Sequence, residues 1–204
     1  MRGTSDGLYS VRQDWSPEQV ARKQRRKRYG RYDSRGRLAG KRPIAERPPI
    51  VAQRGRVGDW EADTMLGARQ AGPCVLTLVE RKTGYVALRK LRIRRAAEVN
   101  AQAIRTFHAQ PRPVHTVTVD NGTEFHEYAK LECATATRFY VATPHHAWER
   151  GTNENTNGLL RQYLPKRRSM ARLRQIDCHR IAATLNRRPR KRLGYRTPEE
   201  CYVP

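Results

Sequence analysis

Acidic residues are scarce in this sequence. Nineteen Asp and Glu stand against 42 Lys and Arg in 204 residues, a formal net charge of +23. That balance lies far outside the range of an ordinary soluble enzyme and favours a polyanionic partner, most plainly nucleic acid. A purely structural nucleic-acid binder would carry the same charge, so composition alone assigns no activity. Long apolar runs are missing too. None approaches the ~20 residues of a membrane span, and no signal-peptide pattern opens the chain. No membrane partner is therefore expected, and the expected location is cytoplasmic and nucleoid-associated. Cysteine is sparse: Cys74, Cys133, Cys178 and Cys201 lie far apart, with no Cys-x-x-Cys pair. That spacing speaks against structural zinc and suits a reducing compartment. His145 and His146 are adjacent, and neighbouring residues seldom point the same way, so they are not expected to form a metal pair.

What is present is a modest apolar fraction of 37%, enough for one domain and a tail. The charge is unevenly spread. Residues 1–57 hold 16 Lys/Arg against 5 Asp/Glu, residues 58–160 hold 13 against 11, and residues 161–204 hold 13 against 3. A nearly neutral centre thus lies between two basic flanks.

Trp15-Ser-Pro-Glu-Gln-Val-Ala21 has the marks of a helix start, with Ser16 able to cap and Pro17 suited to the first turn. The run that follows, with Arg25, Arg26, Lys27 and Arg28, has no apolar stripe. It reads either as a solvated face or as an arm that neutralises phosphates. Residues 30–56 are rich in Gly, Pro and Arg and read as an extended linker, which puts a domain boundary near residue 57. The division is then a basic arm and linker over 1–56 and a core over 57–204.

From Gly58 the pattern alternates. Asp59, Glu61 and Asp63 share one face of a strand, and Trp60, Ala62 and Thr64 the other. Three acids on one strand face repel one another unless cations or arginines intervene. Strands are also expected at 73–79, 85–91, 114–119 and 138–141. Helices are expected at 96–108, at 123–131, in a long pattern from about Thr152, and at 176–185. The order βββαβαβα is that of a ribonuclease-H-like fold, an α/β arrangement with a mixed five-stranded sheet and helices on both faces.

Three carboxylates stand in distinctive settings. Asp63 lies on a strand, Asp120 ends one just before Asn121-Gly122, and Glu154 opens a helix in Gly151-Thr-Asn-Glu-Asn-Thr-Asn-Gly-Leu-Leu-Arg161. Each has a plain structural explanation by itself: a competing Glu61, an Asp-Asn-Gly turn, a favourable charge at a helix N-terminus. Together they can hold two Mg²⁺ ions roughly 3.5–4 Å apart, an arrangement that serves phosphodiester hydrolysis and strand transfer alike.

Gly58-Asp-Trp-Glu-Ala-Asp63, Thr118-Val-Asp-Asn-Gly-Thr-Glu-Phe125 and Trp148-Glu-Arg-Gly-Thr-Asn-Glu-Asn-Thr-Asn-Gly-Leu-Leu-Arg-Gln-Tyr163 resemble the three signature blocks of the insertion-sequence-30 family of bacterial DDE transposases. The 33 residues between Asp120 and Glu154 and the tail from Leu185 to Glu199 are similar as well. The resemblance covers roughly residues 42–204. It implies a retroviral-integrase-like core in which Asp63, Asp120 and Glu154 are the catalytic metal ligands, with Mg²⁺ as the ion and Mn²⁺ as a substitute. Its implied partners are inverted-repeat ends and target DNA, and its implied state is a homodimer or higher multimer.

Around the triad, Glu61, Asn121, Glu124, Asn155 and Asn157 are expected to support the ligands. Arg161, two turns beyond Glu154 and on nearly the same helix face, either contacts phosphate or is structural. Lys166, Arg167 and Arg168 extend the basic side. Trp148 is expected to pack. The chain departs from the family where Arg25-Arg-Lys-Arg28 follows the Trp15 helix start in place of a recognition helix, so residues 1–56 read as the remnant of a helix-turn-helix region. Tyr128 also stands where histidine is expected. Two functions fit: a Mg²⁺-dependent transposase, or a truncated DNA-binding remnant that does not transpose.

Overall fold

The computed structural model describes residues 40–68, 72–143, 149 and 151–204. The Trp15 helix start, the Arg25–Arg28 run, the histidine pair and Trp148 lie outside the described residues. Five strands form one mixed sheet: β1 Asp59–Leu66, β2 Cys74–Glu80, β3 Val86–Leu91, β4 Thr116–Val119 and β5 Arg138–Val141. The spatial order is β3-β2-β1-β4-β5. The first three strands form an antiparallel meander, while β4 runs parallel to β1 and β5 parallel to β4. The helices are α1 Pro49–Ala52, α2 Ala96–His108, α3 Tyr128–Thr135, α4 Gly151–Leu160, α5 Gln175–Asn186 and α6 Pro198–Tyr202. The mixed five-stranded sheet and the element order are those expected from the sequence.

Residue parity divides the core. Trp60 and Ala62 of β1 with Cys74, Leu76 and Leu78 of β2 meet α2, α3 and Tyr202 on one face. Met65, Val75 and Val79 meet Leu160 of α4 and Cys178, Ala182 and Leu185 of α5 on the other. Because both faces are covered, every residue of β2 is buried, which explains why that strand reads as a continuous apolar run instead of an alternating one. Tyr128, the departure from the family pattern, is a core residue whose ring is tilted against Phe139 with centroids 6.2 Å apart.

Both sheet edges are covered, which removes the exposed ladder that invites aggregation. On the β3 edge, side-chain amides of α5 stand in for a further strand. Asn186 accepts from Val86 N at 2.8 Å and donates to Val86 O at 2.9 Å. Gln175 accepts from Lys90 N at 2.8 Å and donates to Leu88 O at 2.9 Å. On the β5 edge, Val141 N donates to Arg42 O at 2.9 Å and Pro43 bridges Val141.

That second cover corrects the linker reading. Residues 40–56 belong to the same compact unit as the sheet. Val51 of α1 is fully buried, its carbonyl accepts from Arg81 Nε at 3.1 Å, and Arg42 pairs with Glu132. A segment rich in Gly, Pro and Arg lacks a periodic apolar face, and distant parts of the chain hold it in place. The helix expected to run on from Thr152 is short, ending at Leu160, and the following chain turns through Pro165. Among the described residues no helix is long and apolar enough to cross a membrane.

Candidate functional site

The acidic face of β1 carries a gradient of solvent access. Asp59 and Glu61 are 1% and 0% exposed, whereas Asp63 is half-buried. The buried acids have the cations that their mutual repulsion demands. Asp59 receives Arg56 Nε at 2.9 Å and Nη2 at 3.1 Å, and Thr116 Oγ1 at 2.7 Å. Glu61 pairs with buried Arg81 and accepts from Asn153 N at 2.7 Å. Arg47 completes the cluster, donating to Thr118 Oγ1 at 2.9 Å. Burial and the neighbouring Arg81 push its guanidinium down to about 10. Glu61 is thus sealed and paired with Arg81, whereas Asp63 opens to solvent.

Asp63 and Asp120 are brought together by register. β1 and β4 pair Asp59 with Thr116 and Glu61 with Thr118. Two residues further along each strand direction come Asp63 and Asp120, on the same side of the sheet by the two-residue period. Asp63 Oδ1 accepts from Thr64 N at 2.9 Å and Oδ2 from Asn157 Nδ2 at 2.8 Å. Asp120 Oδ1 accepts from Gly122 N at 3.0 Å, so the Asp-Asn-Gly turn of the plain reading does form and orients the carboxylate. Asn121 accepts from Lys41 Nζ at 3.0 Å.

Glu124 is buried beside this turn. A β-carbon built on Gly122 would lie 2.3 Å from Glu124 Oε2 and 2.8 Å from Asp120 Oδ1, so a side chain at 122 would displace both carboxylates. Glu124 Oε1 accepts from Thr64 Oγ1 at 2.6 Å and lies 3.7 Å from Arg94. It thereby ties β1 to the Asp120 turn.

Helix α4 docks over the same strand as a ladder at four-residue steps. Asn153 N is on Glu61, Asn157 Nδ2 on Asp63, and Arg161 Nη1 on Leu66 O at 2.9 Å and Leu164 O at 3.2 Å. Glu154 is exposed, one turn before Asn157, and residues three apart are neighbours on a helix surface. Its carboxylate makes no hydrogen bond or ion pair among the described residues.

Of the expected supporting residues, Asn157 orients Asp63. Asn155 does not face the strand; it is exposed on the far side of α4. Asn153, which the sequence reading passed over, is the buried one, and its amide has no partner among the described residues. The spacing Asn153–Asn157–Arg161 was the signal for it. Arg161 takes the structural alternative through its two carbonyl contacts, beside Asp63. Lys166, Arg167 and Arg168 sit exposed in the turn after α4. Arg47, Arg56, Arg81, Lys41 and Thr64 were not singled out from sequence, because only the fold brings them to the acids.

No protein-family model matches the chain. Curated relatives do. A transposase for insertion sequence element IS4351 from Bacteroides fragilis is 41% identical over 176 residues, 86% of this chain and 54% of that protein. One for IS1086 from Cupriavidus metallidurans is 40% identical over 87% of this chain and 52% of its own. Transposase InsI of IS30A from Escherichia coli is 36% identical over 85% and 46%. The chain spans about half the length of the curated relatives it matches. Among solved structures, the catalytic core domain of BIV integrase superposes with a TM-score of 0.55 at 18% identity, covering 72% of this chain and 93% of that one. A chain of the simian T-cell lymphotropic virus intasome in complex with a PP2A regulatory subunit gives 0.58 at 16% identity, covering 72% and 54%. The fold is thus that of retroviral integrase catalytic cores, ribonuclease-H-like. In sequence the chain is a homologue of insertion-sequence transposases and fits the insertion-sequence-30 family.

Proposed function

We infer from that homology that this chain carries the catalytic core of an insertion-sequence transposase, cutting and joining DNA through Asp63, Asp120 and Glu154. The observation that carries the reading is the placement of those residues. Asp63 lies on β1, Asp120 immediately follows the parallel neighbour β4, and the glutamate lies on a helix pinned over the same sheet face by Glu61 and Asp63.

An all-carboxylate donor set fits hard Mg²⁺ ions, with Mn²⁺ as a substitute. As placed, no three acidic, histidine or cysteine side chains among the described residues converge closely enough to hold an ion. Asp63, Asp120 and Glu154 would hold the metal, whose chemistry there would be activation of a water or of a DNA 3′-hydroxyl and stabilisation of the leaving oxygen. The chain's own residues do the positioning. Asn157 and Thr64 N fix the Asp63 carboxylate, Gly122 N fixes Asp120, and the Glu61–Asn153 bond seats the helix that presents Glu154.

The substrate on this reading is duplex DNA, held on the exposed basic turn Lys166–Arg168 and by the Arg25–Arg28 run, with Arg161 bracing the Asp63 end of the site. Inverted-repeat ends and target DNA are the proposed partners, a homodimer or higher multimer the proposed working form, and the nucleoid its place. The test is incubation of the purified chain with Mg²⁺ and a labelled inverted-repeat duplex. Cleavage or joining products are expected. Salt-sensitive binding with no products would sink the reading and leave a DNA-binding protein.

A further inference from the structure

Beside α4, on the side away from Glu154, lies a groove of about 490 Å³. Five of its lining residues are cationic: Arg54, Arg188, Arg190, Lys191 and Arg192. Among the described residues that line it none is acidic. These charges come from two segments well over a hundred residues apart, so they meet only through folding. Elsewhere on this molecule crowded charges are matched, Asp59 by Arg56 and Glu61 by Arg81. Here like charges converge, opposed at Arg192 by Glu80, at a Coulombic cost that a bound anion would reverse.

The groove is also built with some care. Arg54 adopts a left-handed backbone, φ 55°, and its Nη2 donates to Thr152 Oγ1 at 3.2 Å. Arg192 donates to Lys82 O at 2.7 Å and lies across Gly84. A β-carbon there would come within 2.4 Å of its guanidinium, so only glycine leaves room for that arginine. Desolvation, then Arg54 and Arg190, lower the Arg192 guanidinium from its ordinary value. Arg190 is lowered by desolvation and by Arg188. Those three arginines have structural contacts that hold them in place. Arg188 and Lys191 are exposed and make no side-chain hydrogen bond or ion pair among the described residues, which leaves their charges available.

The floor is the first turn of α4. Thr152 and Asn155 line the groove, and Asn155 is the immediate neighbour of Glu154. Glu154 projects from the same turn of the helix on a different face, so the groove and the candidate carboxylate share one rigid element. A helix start adds backbone N–H groups and a favourable dipole for anions.

We propose that this groove binds the phosphodiester backbone of the substrate nucleic acid beside α4, with Arg188 and Lys191 as its phosphate contacts. The proposal rests on the transposase reading for the identity of the strand, but not for the binding itself. The groove positions substrate and performs no chemistry.

The test uses the full chain and a fluorescent DNA duplex in EDTA, so that binding is read without cleavage. The double variant Arg188→Ala with Lys191→Ala is compared with Arg172→Ala with Arg180→Ala, which removes the same charge from exposed positions elsewhere. The groove variant should bind on the order of 10-fold more weakly, and its slope of log affinity against log salt should be shallower by roughly 1.8, the value for two lost phosphate contacts on a duplex. The control pair should change neither by more than a small fraction of that. Equal losses in both pairs would reduce the groove to general charge and overturn the proposal. So would displacement of the duplex by inorganic phosphate well beyond that by chloride of equal ionic strength, which would mark a free-anion pocket. A wild-type chain that binds through the groove yet never cleaves with Mg²⁺ would overturn the transposase reading and leave the groove standing.

Discussion

The two faces of the sheet are closed by different physics. On one, Trp60 is fully buried, with ring centroids 5.6 Å from Tyr202 and 5.8 Å from Phe107, both edge-on, and the remainder is aliphatic and aromatic, Phe125, Tyr128 and Phe139 among it. On the other, the same strand presents Asp59, Glu61 and Asp63 to arginines and helix amides, and apolar packing is confined to its far half around Met65. One residue step along β1 moves from apolar packing to the proposed chemistry. The apolar face can hold the strand rigid without demanding anything of the acids. The acids are free to run from sealed and neutralised at Asp59 to open at Asp63.

The largest effect expected from breaking this division is at the open end. Glu154→Gln or Asp63→Asn should lower cleavage by on the order of 10³-fold or more, the scale of removing a group that acts on reacting atoms. Duplex binding in EDTA should be unchanged. If binding falls as far as cleavage, these carboxylates support the fold and do not act on substrate. Next comes the apolar face. Trp60→Ala should cost about 3–5 kcal/mol in urea unfolding, with no selective effect on chemistry in whatever fraction remains folded.

The sealed acids should behave differently from both. Glu61→Gln leaves the Arg81 charge buried without its partner, a loss of about 3–5 kcal/mol. Replacing both, Glu61→Leu with Arg81→Met, should recover most of that stability, since a buried ion pair contributes little over packed hydrophobes. Cleavage should stay lost, because Asn153 N then has no acceptor and α4 loses its seat. A double variant that is stable and active would show that Glu61 serves stability alone. Smaller again, Asn157→Ala should lower cleavage about 10–100-fold, as for groups that orient a ligand. Its stability cost should stay near 1 kcal/mol, which separates orientation from folding.

Much of this plan was legible in the residues. The two-residue period of β1, the continuous run of β2 and the helical spacing of Ala96–His108 follow directly from which faces are covered. The three carboxylates stood out because an isolated acid among amides and turn residues is unusual. Other features depend on contacts across long stretches of chain and leave no local pattern. Residues 40–56 look like a linker until Val141 and Arg81 are placed against them. Arg56, Arg81 and Arg47 are three among many arginines until the acids they neutralise come near. Gln175 and Asn186 bracket a helix, and nothing in their spacing announces that they cap a strand edge. Asn153, not Asn155, lies on the four-residue step that faces the strand, a distinction that depends on which face of α4 the sheet covers.

The subtlest way to compare the faces is through their cysteines, since each face buries one: Cys74 the apolar side, Cys178 the side under α5. Burial pushes both thiols up to about 11, so neither ionises near neutrality while the chain is folded. Cys133 is exposed. A thiol reagent at pH 8 should therefore label Cys133 at once. The buried pair should then separate by how each is uncovered. Cys178 rides on a helix tied to the β3 edge by side-chain amides, and local detachment of that helix suffices to expose it. Cys74 pairs within β2 between Leu66 and Leu91, so exposing it requires the sheet itself to open. Cys178 should react first and with weak dependence on urea, Cys74 later and with the full dependence of global unfolding. Since the folded thiols hold their protons more tightly than the unfolded ones, stability should also fall as pH rises from about 9, the ordinary value, through about 11. Replacing Cys74 and Cys178 with alanine should flatten that decline. Simultaneous labelling of the two buried thiols, followed by peptide mapping, would mean that the faces open as one unit and that the ionic side is as firmly closed as the apolar one.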